Sequence, residues 1–223
     1  MRARLVDGVG IETFSAKSKP DHDLTPDMIQ GSCKGFLGRI NTQDVVKHIC
    51  LWSHKMSLSL YDLSVPVFVQ SLEALAAVLK KAATHAETRK IDPQILLSAR
   101  LYPDMFAFTR QVQLASDFAK GGAARVAGVE VPSYADTESS FDDLDARITK
   151  TISFITSIPK EKFIGAESRD ITVPMRPEPR IFNALVYLRH GALPNFFFHT
   201  TTAYDILRHN GVELAKRDFL GVY

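Results

Sequence analysis

The chain has few of the residues that staple or anchor a protein. Only two cysteines occur, Cys33 and Cys50, with the single tryptophan, Trp52, close behind them, and neither residue type appears again. A fold built on disulfides is excluded. No run approaches the roughly 18 uninterrupted apolar residues of a membrane helix. The N-terminus also lacks the basic-then-apolar order of a secretory signal. A soluble, cytoplasmic protein with no membrane partner is the expectation. Charge of one sign is lacking as well: 27 Lys and Arg stand against 25 Asp and Glu, so no global field draws the protein to nucleic acid or anionic lipid. Gly-rich phosphate loops, G-x-S-x-G, H-E-x-x-H and C-x-x-C are all missing, which weakens nucleotide, hydrolase and zincin readings. Basic and aromatic residues are not interleaved on one face, so a nucleic-acid partner has little support.

What is present is 223 residues, 45% of them hydrophobic, enough to bury a core. The first 55 residues differ from the rest. They hold both cysteines, the tryptophan, His22, His48, His54 and five scattered glycines, and no apolar period lasts beyond one turn. A targeting peptide, a regulatory arm and translation beginning at Met56 compete as explanations. Asp7, Glu12, Asp21, Asp23 and Asp27 oppose an organelle presequence, which is poor in acids. Residues 1–55 are therefore read as an unstructured or dispensable extension and residues 56–223 as the domain. Cys33 and Cys50 with His48 and His54 lack the close C-x2-C spacing of structural zinc sites, so they read as thiols in a loose segment.

After Met56 the apolar residues change pattern. Tyr61, Val65, Phe68, Leu72, Leu75 and Leu79 recur in steps of four and three, one stripe of a helix that Ser64 and Pro66 open. Asp92-Pro93 opens a second segment. After a break at Pro103 its stripe runs Leu101, Met105, Phe108, Val112, Ala115 and Ala119, and Gly128 ends it. Residues 129–139 read as a loop. Ser140 with Asp143 caps a third helix carrying Phe141, Leu144, Ile148, Ile152 and Ile155 as far as Pro159. Pro174, Pro177 and Pro179 then flank two short β-leaning runs, Ile171 to Val173 and Ile181 to Tyr187, which suit a hairpin within a long crossover. Pro194 starts the fourth helix, with Phe196, Phe197, His199, Ala203, Tyr204, Ile206 and Leu207, and Asn210-Gly211 closes it. The pattern predicts an all-α four-helix bundle, and its long connection favours a crossover topology over a simple up-down one.

Five residues could carry chemistry. His199 shares a stripe with Ala203 and Ile206, so its imidazole points inward, as a metal ligand, a base near neutral pH, or a structural hydrogen-bonding group. Asp104 and Gln111 lie beside the core seam of the second segment and could face the same cavity, though Asp104 just after Pro103 also suits a helix start. Asp117 reads as a further pocket residue or as the partner of Arg208 or Arg100. Tyr204 completes a polar interior able to hold a water, a metal or a small ligand. His85, His190 and His209 read as solvated or helix-end residues.

Three stretches carry a resemblance: Ser59-Leu60-Tyr61-Asp62-Leu63-Ser64-Val65-Pro66-Val67-Phe68, Ala99-Arg100-Leu101-Tyr102-Pro103-Asp104-Met105, and Leu193-Pro194-Asn195-Phe196-Phe197-Phe198-His199 continuing through Ala203 to Val212. From Met56 to Tyr223 the chain resembles an uncharacterised domain-of-unknown-function family of the DinB-like four-helix superfamily. The resemblance implies a DinB-like bundle with a long crossover, assembled as a homodimer. The wider superfamily contains metal-dependent transferases and isomerases whose divalent metal is held by three histidines, two of them as H-x-x-x-H on the last helix. Here that pair is His199 and Ala203, and the second helix has no histidine, so one ligand of three remains. A metal would need Gln111, Asp104 or Asp117 in place of the others, giving a weak, oxygen-rich site. The absence of any cofactor is favoured over that weakly bound divalent metal. Two function classes stay open: an enzyme using His199, Gln111 and Tyr204 on a small organic molecule, or a non-catalytic binding or scaffold protein. A helical DNA-binding protein is third.

Overall fold

Two prolines, Pro66 and Pro93, and two left-handed residues, Lys90 and Gly128, set the limits of the first half of the fold. The computed structural model describes residues 59–175 and 177–222. Cys33, Cys50, Trp52, His22, His48, His54 and Met56 lie outside the described residues, together with the readings that rest on them. Helix α1, Val65–Arg89, carries Pro66 in its first turn, where a missing N–H costs nothing. Ser64 was expected to cap it. Instead the Ser64 hydroxyl donates to the Leu60 carbonyl and prolongs the preceding turn. The apolar stripe predicted for this helix is buried at Val65, Phe68, Leu72, Leu75 and Leu79.

The second segment is two helices. Asp92 caps a short helix α2, Pro93–Ser98, by accepting the Gln94 N–H at 2.9 Å. Helix α3 begins only at Phe108 and runs Phe108–Ala127. Leu101 and Met105, expected on the helical stripe, therefore lie in a connection of bends and a turn closed by the Met105 N–H on the Tyr102 carbonyl, where Leu101 is exposed. Pro103 pushes the residue before it out of the helical region. Arg100 then holds the connection by donating to the carbonyls of Pro103 and Met105, both at 3.3 Å. Gly128, with φ +68°, ends α3 as predicted.

Helix α4, Phe141–Ser157, is capped as the sequence indicates: the Ser140 hydroxyl accepts the Asp143 N–H at 3.1 Å. The Asp143 carboxylate in turn accepts the Ser139 N–H at 3.0 Å. The crossover that follows contains two 3-10 turns, Lys160–Phe163 and Ala166–Ser168, and an antiparallel hairpin of β1, Asp170–Val173, and β2, Arg180–Asn183. Its register pairs Asp170 with Asn183 and Val173 with Arg180. The second β-leaning run was expected to reach Tyr187, but the strand stops at Asn183. Its side-chain oxygen accepts the N–H groups of Leu185 and Val186 and starts helix α5, Ala184–Tyr187.

The last long helix, α6, spans Leu193–His209, but helical backbone reaches it without a break from α5 through a widened π-type turn, Leu188–Ala192. Pro194 therefore does not start the helix from a loop. Within a continuous helix a proline lacks the N–H its turn needs and its ring crowds the carbonyl four residues back, and one widened turn accommodates both. The Asn195 amide donates to the Gly191 carbonyl at 2.8 Å, satisfying an acceptor in that turn. Asn210 and Gly211, the latter at φ +88°, close α6, and a short helix α7, Lys216–Leu220, follows.

Helix α3 packs most extensively against α6 and then α4, while α1 packs against α4 and α7. Successive long helices α1 and α3 are thus not principal neighbours, nor are α4 and α6, so two connections cross the bundle. Phe68, Leu72, Phe108, Leu144, Ile148, Ile155, Phe196 and Ile206 fill the core with no solvent exposure. The rings of Phe68 and Phe196 meet edge to face at 4.9 Å, a favourable aromatic geometry. Gly122 makes the closest approach possible: a Cβ there would lie 3.0 Å from the Phe68 ring and 3.1 Å from Ala192.

Candidate functional site

His199, on α6, is 7% exposed and lies against α3. Its Nδ1 is 2.8 Å from Gln111 Oε1. Which of the two groups donates is fixed by a third. Gln111 Nε2 donates to the Phe106 carbonyl at 3.1 Å, and a carbonyl can only accept, so the amide oxygen must be the end that faces His199. The imidazole therefore carries its proton on Nδ1 and donates it to Gln111. Nε2 is left as an acceptor with no hydrogen-bond partner among the described residues. Two aromatic rings hold the imidazole: Phe118 stacks on it at 5.5 Å and Phe198 meets it edge-on at 5.3 Å. Burial, with the nearby charge of Arg110 adding to it, holds the His199 pKa below the usual histidine value. That shift favours the uncharged ring.

Phe118 also lines a cavity of about 410 Å³ between the β1–β2 hairpin and the α3–α6 pair. Val173, Pro174, Phe182 and Tyr187 supply much of its wall, with Arg125, His190 and Asn195 as polar groups. Asn195 is one helical turn before His199 on α6, but His199 itself does not line the cavity; Phe118, stacked on the imidazole, stands in the wall.

The remaining predicted residues are placed elsewhere. Asp104 is exposed in the connection before α3. Tyr204 is five residues after His199, roughly 140° further round the helix, and its ring packs on Phe219 of α7 at 5.9 Å. Asp117 pairs with neither Arg208 nor Arg100. It accepts from Arg147 at 2.9 Å and from Lys120 at 3.0 Å. Arg147, fully within α4 and buried, also binds Glu138 at 2.8 Å and Asp136 at 3.1 Å. Burial alone would raise the Glu138 pKa, but hydrogen bonds from Arg147, its own backbone and Gln113 together hold it below the usual value. The Tyr134 ring lies between Lys120 at 3.8 Å, Lys150 at 4.3 Å and Arg147 at 5.5 Å. This network fastens the connection between α3 and α4 to the bundle, and its charges are spent on one another.

The cavity beside Phe118, and Arg125 within it, were not anticipated from the sequence. The available signal was Gly121 one turn before Arg125: a side chain at Gly121 would occupy the place of the Arg125 guanidinium. The three-histidine metal arrangement does not fit this donor set. Ala203 is fully buried where a second ligand would stand, the carboxylate of Asp117 is held by two cations, and no group of three His, Cys, Asp or Glu side chains among the described residues is placed to hold an ion.

Residues 60–220 match the family described as domain of unknown function, DUF1993. The chain belongs to that family. It is also similar to a crystal structure of a DinB family member protein from Shewanella denitrificans, with 38% identity over 74% of this chain and 93% of that one and a TM-score of 0.69. No curated protein matches the chain. The fold of this DUF1993 member is thus DinB-like, with a two-stranded hairpin in the crossover, and among its described residues no helix is long and apolar enough to cross a membrane.

Proposed function

We propose that this protein handles a small organic molecule in the cavity beside Phe118, with His199 acting on it as a metal-free imidazole. The observation that supports the reading is the fixed tautomer: Gln111 accepts the Nδ1–H hydrogen bond, and Nε2 is left without a partner among the described residues, on a ring stacked against Phe118 of the cavity wall. A cavity of about 410 Å³ is within the usual range for small ligands. An uncharged imidazole can accept a hydrogen bond or a proton from an acidic O–H, N–H or activated C–H group of the bound molecule. A depressed pKa makes it a weaker base and favours its unprotonated form. The deep burial of His199 favours a second reading, a binding protein in which Nε2 only orients the ligand.

The test is a fragment screen by NMR on the full chain, with small alcohols, phenols, amides and acids. Binders that shift the resonances of Phe118, Asn195 and the His199 ring are expected, and His199→Gln should weaken those able to donate to Nε2. Binders that map elsewhere, or none, would contradict the proposal. Turnover of a bound fragment, lost in His199→Gln, would separate the enzyme from the binding protein.

A further inference from the structure

We propose that the cavity between the hairpin and the α3–α6 pair selects a monocarboxylic acid with an apolar body, its carboxylate held by Arg125. The inference rests on the small-molecule reading above but not on the role of His199. Arg125 lines the cavity, half-buried in the last turns of α3. Its Nη1 donates to the Tyr187 hydroxyl at 3.1 Å, which fixes the guanidinium's direction, and it forms no ion pair with an acid among the described residues. That sets it apart from Arg110 and Arg147, each of which is neutralised by carboxylates. A guanidinium in partly apolar surroundings with donors still available is suited to a carboxylate, which it can meet with two parallel hydrogen bonds.

The surroundings define the rest of the ligand. Gly121 has no side chain where the guanidinium lies, so Arg125 can fold back over its own helix. Phe118, Val173, Pro174, Met175, Phe182 and Val186 supply an apolar lining, and Met175 and Val186, each nearly half exposed, stand at the rim. Among the described lining residues Arg125 is the one arginine and there is no lysine, which matches a single negative charge rather than a polyphosphate. The volume of about 410 Å³ suits an aliphatic or aromatic acid of roughly ten to fifteen non-hydrogen atoms.

The experiment uses octanoate and its uncharged analogue octanamide, titrated calorimetrically into the full chain. Octanoate is expected to bind about tenfold more tightly or better, Arg125→Gln to erase that difference, and Val186→Trp, which blocks the rim, to weaken both. His199→Gln should leave octanoate affinity within about twofold, which separates this inference from the role assigned to His199. Equal affinity for the two compounds in the unaltered protein, or binding of neither at millimolar concentration, would overturn the inference whether or not Arg125→Gln folds. Fragments that contact His199 while octanoate shows no preference over octanamide would overturn the carboxylate assignment and leave the small-molecule reading standing.

Discussion

Gln111 and His199, 88 residues apart in sequence, meet at 2.8 Å because α3 and α6 are the most closely packed pair in the bundle. The amide makes the imidazole's choice of tautomer for it, and the carbonyl of Phe106 makes the amide's choice in turn. This is the logic by which a neighbouring group orients a histidine from behind. Replacing Gln111 with glutamate would keep the shape and supply a negative charge. Gln111→Glu is therefore expected to raise the His199 pKa, measured by following its ring protons against pH. An unchanged titration would mean that the two side chains do not meet.

His199 also couples stability to acidity. Burial and the Arg110 charge lower its pKa in the folded state, so between that value and the ordinary one of about 6.5 the unfolded chain binds the proton and the folded chain does not. Stability then rises with pH through that window. The melting temperature should fall as pH drops below about 6.5. His199→Gln should flatten that part of the profile, and identical slopes for the two proteins would refute the linkage.

Arg147 is the hub of the charge network, its side chain 2% exposed and bonded to Asp117, Asp136 and Glu138. Removing it strands carboxylates that cannot all reach water. Arg147→Ala should cost about 2–3 kcal/mol, less than the 3–5 kcal/mol of a fully buried pair, because Asp117 and Asp136 keep side-chain exposures of 34% and 40%. Because Glu138 is held below its usual pKa, its contribution is complete above the unfolded value and fades as pH falls through the folded one. Urea unfolding at pH 7 and at pH 4 checks both points: the penalty should shrink at the lower pH.

Gly122 tests the packing between α1, α3 and the widened turn. Ala is a better helix former by about 0.8–1 kcal/mol, yet a Cβ at Gly122 would press on Phe68 and Ala192 at 3.0–3.1 Å. Crowding of this kind costs about 1–3 kcal/mol. Gly122→Ala should consequently lower stability by a net amount of up to about 2 kcal/mol, and a gain in melting temperature would show that the contact is loose.

The long helices were legible because burial follows the four-and-three spacing. Phe141, Leu144, Ile148 and Ile155 read as one face and lie buried on one, and the caps at Asp92 and Ser140 formed as their chemistry required. The departures all occur where local preference yields to the chain around it. Leu101 and Met105 continued a helical spacing, but Pro103 and the Arg100 hydrogen bonds hold that stretch in a turn. The β-leaning run at Ile181 ended early because Asn183 caps a helix. Pro194 looked like a beginning because a widened turn leaves no mark in residue spacing.

For the site, the inward direction of His199 and the neighbouring row of Gln111 could be read from periodicity, and the structure joins them. Tyr204 could not be placed, since five residues on a helix turn it to another neighbour, Phe219. The Asp117 partner could not be chosen among arginines by sequence alone. Arg125 was missed for a different reason: Gly121 leaves room for its guanidinium, but the cavity itself is made by the hairpin folding back on α3, a long-range event.

One proton decides how His199 can act. A long-range proton–nitrogen NMR spectrum at pH 7, with the His199 signals assigned by their loss in His199→Gln, reports which ring nitrogen carries it. A neutral ring protonated on Nδ1 is expected, with Nε2 unprotonated and unmoved by one equivalent of zinc. A ring protonated on Nε2, a charged ring, or an Nε2 signal displaced by stoichiometric zinc would contradict that expectation.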